Sequence, residues 1–150
     1  MELSDEIRIA APRDVVYEAL NNPDILQECI PGCEELTQSS PQDLEAKVVL
    51  KIGPVKARFA GQVTLDKSKA PDGFSLQGEG KGGAAGFAKG GADVTLTEDG
   101  SETVLAYTAK VDVGGKIAQL GSRLIAGTAK KLSGKFFTRL GEIVSEQSGS

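Results

Sequence analysis

The sequence predicts an α+β fold: a curved antiparallel sheet of about seven strands wrapped round one long C-terminal helix, with two short helices after the first strand. Three observations predict it. Residues 115–147 repeat apolar side chains at helical spacing. Residues 43–113 alternate apolar and polar side chains between turns marked by glycine and proline. Between them and the first strand, Pro12 and Asn22-Pro23 punctuate two short apolar-patterned segments.

The elements follow in order. Residues 3–9 set Leu3, Asp5, Ile7 and Ile9 against Ser4, Glu6 and Arg8, an imperfectly patterned strand. Pro12 suits a helix start and Asp14 its first turn; Val15, Val16, Ala19 and Leu20 supply the apolar face. Asn21-Asn22-Pro23 ends that helix, 24–29 forms a second, and Pro31-Gly32 turns the chain. Six strands are expected at 34–38, 43–52, 55–67, 74–81, 88–97 and 103–113. Asp99-Gly100 is a hairpin signal. Short turns make the sheet an antiparallel meander, apolar on one face and wet on the other.

The last stretch is read as one helix from 115 to 147. Ile117, Leu120, Gly121, Leu124, Ile125, Thr128, Leu132, Phe136, Leu140 and Ile143 fall in one broad, drifting stripe. Phe137 falls on the polar side, and Lys135 lies near the early stripe. This is the one element large enough to cover the apolar face of the sheet. One domain over 1–147 is expected, followed by a tail at 148–150.

Composition narrows the function. The chain has 150 residues, 39% hydrophobic and 25% charged, which is globular usage. No run reaches the roughly 18 apolar residues of a membrane span. The N-terminus lacks a signal-peptide core, so a cytoplasmic protein is expected. There is no histidine, the commonest general base and metal ligand. Cys29 and Cys33 alone do not make a four-ligand metal site, and two reduced thiols packed in a turn are expected. No metal, catalytic residue or intrinsic cofactor is assigned. Gly78-Glu79-Gly80-Lys81-Gly82-Gly83 matches a dinucleotide fingerprint in letters, but a strand follows where that motif needs a helix. Tyr107 reads as a core residue with one polar contact.

Six cations and no acid lie between Lys116 and Arg139, on a chain whose net charge is −4. The basic stretch is either a solvated face of an acidic body or a surface for anionic lipid or an acidic partner. Nucleic acid is not expected, because the basic segment has no interleaved aromatics for stacking. Gly127, Gly134 and Gly141 recur every seven residues on one side of the helix. Each costs about 1 kcal/mol relative to alanine.

The inward face of the sheet is poor in bulk. Ala57, Gly61, Gly78, Gly80, Ala88, Gly90, Ala92 and Ala109 stand where a filled core has leucine or phenylalanine. A ligand cavity is expected; the alternative is close docking of the helix with no void. Gly53-Pro54, the segment with Gly83 and Gly86, and Gly114-Gly115 are alternate connections, expected to gather as a mobile rim at one end.

Ala11-Pro12, the 19–23 Ala-Leu-Asn-Asn-Pro block, Cys29-Ile30-Pro31-Gly32-Cys33, Gly53-Pro54-Val55, Gly61, the small-residue tract 78–92 and the block 113–125 together resemble the G-subunit family of carbon monoxide dehydrogenase. That family belongs to the START-like, helix-grip (SRPBCC) superfamily. The resemblance implies a hydrophobic pocket under the long helix. It also implies an accessory role: bringing a molybdenum-containing CO dehydrogenase or related hydroxylase to the membrane, or carrying a quinone. It supplies no catalytic set.

The expected function is therefore non-enzymatic binding of a lipid- or quinone-like molecule beside such an oxidoreductase, in the cytoplasm with peripheral contact at the inner face of the membrane. Phe59, Leu76, Tyr107, Leu120, Leu124 and Leu132 would wall the pocket. Lys116, Arg123 and Lys130 would touch lipid or partner. A cyclase or aromatase using the same pocket, or a fully packed interaction module, are the alternatives.

Overall fold

The computed structural model describes residues 1–147, and the tail expected at 148–150 lies outside the described residues. Strand β1 is Glu2–Ile9, followed by helices α1 (Arg13–Leu20) and α2 (Pro23–Cys29). Strands β2 (Cys33–Gln38), β3 (Asp43–Ile52), β4 (Val55–Asp66), β5 (Gly73–Lys81), β6 (Phe87–Asp99) and β7 (Glu102–Gly114) come next, and helix α3 is Ser122–Gln147. One antiparallel sheet holds them in the order β1-β7-β6-β5-β4-β3-β2. Each strand lies within two residues of its expected bounds.

Local chemistry fixes the helix starts. Pro12 stands extended before α1 at φ −62°, ψ 153°. Asn22 caps α2: its side-chain oxygen accepts from the backbone N–H of Asp24 at 3.0 Å and of Ile25 at 3.4 Å. Pro23 fills the first helical position, where a missing N–H costs nothing.

The single helix expected from 115 is interrupted. Lys116–Leu120 is one short 3-10 stretch, and Gly121 at φ +95° turns the chain before α3 begins. The interruption lets Ile117 drop onto the sheet, where it is 2% exposed and clusters with Phe59 and Ala85. Helical spacing in the sequence does not distinguish this plug from a first turn of α3.

The main core sits at the other end of the sheet. There α1, α2 and the C-terminal half of α3 close over Phe74, Leu96 and Leu105. Arg13, at the start of α1, bonds Asp72 at 2.8 Å and lies 3.7 Å from Glu98. The buried Thr103 hydroxyl donates to the Ala11 carbonyl at 2.8 Å, which ties the β1–α1 corner to β7. Phe137, placed on the polar side by the sequence pattern, is half-buried instead. It stacks on Tyr107 at 5.6 Å and meets Phe136 edge-on. The apolar arc of α3 is wider than one stripe because the helix faces α1 and α2 on one flank and the β1–β7 margin on the other.

Candidate functional site

Strand register sorts the inner face by size. Leu96, Leu105 and Ile7 form one row, and Phe74, Val94 and Tyr107 form another, at the end covered by the helices. Toward the other end the rows shrink. Ala92 pairs Ala109, Gly78 pairs Gly90, and Ala46, Gly61, Gly80 and Ala88 stand side by side across four strands. Small residues scattered through the sequence thus become one band across the sheet.

Over that band the helix and sheet leave two adjoining chambers. The deep one is about 400 Å³, lined by Leu26, Leu44, Phe74, Tyr107 and Phe136 among others. The outer one is about 470 Å³, lined by Val48, Ile52, Phe59, Gly78, Val111 and Ile117 among others. Ile30, Pro31, Ala46, Leu76 and Leu132 belong to both walls, so the chambers adjoin along a shared wall. Each chamber is of the size that ordinary small-molecule sites have. An enclosed void of 400 Å³ at roughly 24 cal/mol per Å³ would cost about 10 kcal/mol, comparable to a domain's whole stability. These chambers are open clefts, so their cost is instead that of apolar walls left to water.

Of the six residues expected to wall a pocket, Phe59, Leu76, Tyr107 and Leu132 line the chambers. Leu120 and Leu124 do not. Leu120 packs beside the Phe59–Ala85–Ile117 cluster, and Leu124 is 39% exposed, with its tip against Gly53. Leu120 lies before the turn at Gly121, outside α3, and Leu124 lies in the first turn of α3 beside the Gly53-Pro54 turn. Ile30 and Pro31 are wall residues where the sequence pattern shows only a turn. Their signal is local: an apolar side chain held between α2 and the Pro31-Gly32 turn has the sheet as its nearest apolar neighbour.

The glycine-bearing turns do gather at one end. The Gly83–Ala85 turn and Gly114-Gly115 are packed together rather than forming a loose rim. A side chain on Gly86 would strike the Gly114 carbonyl, and one on Gly115 would strike the Gly86 backbone. Ala85 is 7% exposed beneath them. Gly53-Pro54 is exposed and stands against the tip of Leu124 instead.

The walls offer little to proton chemistry. Tyr107 makes no hydrogen bond through its hydroxyl among the described residues, and no metal-holding group of three or more carboxylates and thiols is found among them. Cys29 and Cys33 are both free. Burial pushes the Cys29 thiol up to about 11, against a smaller opposing pull from Arg139. Outside, Lys116, Arg123 and Lys130 make no ion pair among the described residues, whereas Arg139 lies 3.6 Å from Glu28. Lys51 stands directly opposite Lys56 beside the Gly53-Pro54 turn, a like-charge pair that costs stability. No helix among the described residues is long and apolar enough to cross a membrane.

Residues 6–145 match the family described as the G-subunit of carbon monoxide dehydrogenase (CoxG). No curated protein matches the chain. Among solved structures, a conserved protein from Geobacillus kaustophilus is similar at 28% identity and TM-score 0.92, covering 97% of this chain and 96% of its own. A START superfamily protein from Mycobacterium smegmatis follows at 12% identity and TM-score 0.74, over 97% of this chain and 98% of its own. The aromatase/cyclase Zhui from a Streptomyces species has 13% identity and TM-score 0.71, over 98% of this chain and 94% of its own. At such identities the last two show the fold alone. That fold is the START-like, helix-grip arrangement.

Proposed function

The chain belongs to the CoxG family of carbon monoxide dehydrogenase, and from that premise we propose that it is a non-enzymatic carrier of a lipid- or quinone-like molecule. It serves a molybdenum CO dehydrogenase-type oxidoreductase, delivering an electron acceptor or aiding membrane recruitment. One observation supports this reading above the others. The band of small residues on the inner face leaves two adjoining apolar chambers under α3 that side chains of this chain do not fill. An apolar guest would remove those walls from water at about 25 cal/mol per Å².

The cations Lys116, Arg123 and Lys130, without ion-pair partners among the described residues, support peripheral contact with an anionic surface. Lys51, Lys56 and the exposed Leu124 stand together beside the Gly53-Pro54 turn. The cyclase reading has a structural neighbour in its favour. It needs an ionisable pair aimed into the chambers; among the described residues Tyr107 is the candidate on the deep wall, and Glu79 and Lys89, paired across β5 and β6, border the outer one.

The test is chemical. Protein purified without detergent is extracted with organic solvent, and the extract is analysed by mass spectrometry. A hydrophobic passenger in near-stoichiometric amount is expected. Its repeated absence, together with failure of the protein to take up an added quinone, overturns the carrier reading.

A further inference from the structure

We propose that the seam between β1 and α3 is a second opening of the deep chamber, and that it holds a neutral polar head, a hydroxyl or a carbonyl, of the apolar guest. The proposal rests on the carrier reading above. Two clefts of about 550 and 480 Å³ run along this seam. Tyr107 and Ser133 line both clefts and the deep chamber as well. The Tyr107 ring, stacked on Phe137, therefore stands where the clefts meet the chamber.

The helix does not fill the seam. Gly127, Gly134 and Gly141 all face it, and a Cβ on any of them would meet nothing within 4 Å. Spacing alone would not make a site, but the polar groups gathered there have a chemistry. Asp5 stands directly opposite Tyr107 in the β1–β7 ladder, so the two side chains share the inward face. A carboxylate at an inward position is what spoils the pattern of β1. One of its oxygens accepts the Glu6 N–H at 2.8 Å, which leaves the other for a ligand. Lys130 and Ser133 line the same cleft from α3. Neither Lys130 nor the Tyr107 hydroxyl has a partner among the described residues.

The set offers donors at Tyr107, Lys130 and Ser133 and an acceptor at Asp5. A fatty-acid carboxylate placed there is repelled by Asp5 and attracted by Lys130, and an ammonium head the reverse, so neither gains enough to offset the like charge and the lost hydration. A neutral hydroxyl meets neither penalty and uses both kinds of group; a carbonyl uses the donors. Head charge is thus what the seam selects, while the chamber accepts the apolar body.

The experiment titrates delipidated protein with cetyl alcohol and with palmitate, which share a chain and differ at the head. Wild type is expected to bind the alcohol more tightly. Asp5→Asn is expected to shrink that preference by about threefold or more, since it removes one charge near the head. Tyr107→Phe keeps the stacked ring and is expected to weaken alcohol binding about three- to tenfold. Lys69→Ala, on the exposed turn between β4 and β5, is expected to change neither affinity. Binding of both compounds with no effect of Asp5→Asn or Tyr107→Phe overturns the seam and leaves the carrier reading standing. Binding of neither compound overturns the seam, and the quinone-uptake test then decides the carrier reading.

Discussion

The two halves of α3 carry similar apolar residues and meet different surroundings. In the C-terminal half Leu140 and Val144 are fully buried, enclosed by α1, α2 and the bulky rows of the sheet. In the N-terminal half Leu124 is 39% exposed and Leu132 faces an open chamber. The helix is not the source of the contrast. Opposite the C-terminal half the sheet presents leucine and phenylalanine; opposite the N-terminal half it presents alanine and glycine aligned by register. Stability is built at one end, and room for a guest is left at the other.

The largest expected effect separates the halves by substitution. Leu140→Ala should destabilise by about 2–5 kcal/mol, as buried leucine truncations do. Leu124→Ala should stay within about 0.5 kcal/mol. Urea unfolding of the two variants checks this, and equal losses would erase the contrast. Next in size, Ala92→Leu adds bulk to the wall shared by both chambers. Quinone uptake should fall about tenfold, a change of about 1.4 kcal/mol, while urea stability should move by less than about 1.5 kcal/mol because the space is already there. A large loss of stability would mean that the site is packed.

A thiol reports on the closed end. Burial raises the Cys29 pKa from the ordinary 9.0 to about 11, so the unfolded chain loses this proton first. Its contribution to stability is fully present below 9.0 and is lost as the pH rises toward 11. Cys29→Ala should flatten that alkaline limb of unfolding. In the native protein at neutral pH, a maleimide should label Cys33 first and Cys29 on opening of the core. The smallest effect is acidic. Hydrogen bonds from Ser40 and Thr64 lower the pKa of Asp43, so its contribution is present above the usual carboxylate range and is lost as pH falls through the lowered value. Asp43→Asn should slightly shallow the acid limb of unfolding.

Much of this contrast is legible in the sequence. Alternation locates every strand, and the small inward residues include Gly61, Gly78, Gly80 and Ala92. Their alignment into one band is not legible, because register between strands is set by turns and bulges that spacing alone does not fix. Helical periodicity places Leu120 and Leu124 on the pocket wall. For Leu120 it fails because Gly121 at φ +95° separates that residue from α3, and a glycine at the edge of a periodic run gives no sign of which conformation it takes; Leu124 is in phase within α3 but stands against the Gly53-Pro54 turn. Phe137 is misplaced for a related reason: a helix lying between two helices and a sheet margin buries a wider arc than one stripe. Asp5 is visible as a fault in the β1 pattern, but its proximity to Tyr107 depends on the pairing of first and last strands.

Hydrogen exchange along α3, with and without cetyl alcohol, tests the central claim most directly. Without ligand, residues 139–146 should exchange slowly and residues 122–132 quickly; with ligand, protection should rise over 122–132 and stay unchanged over 139–146. Uniform slow exchange along the whole helix in the ligand-free protein, unaltered by the alcohol, would contradict a helix that is packed at one end and waits for a guest at the other.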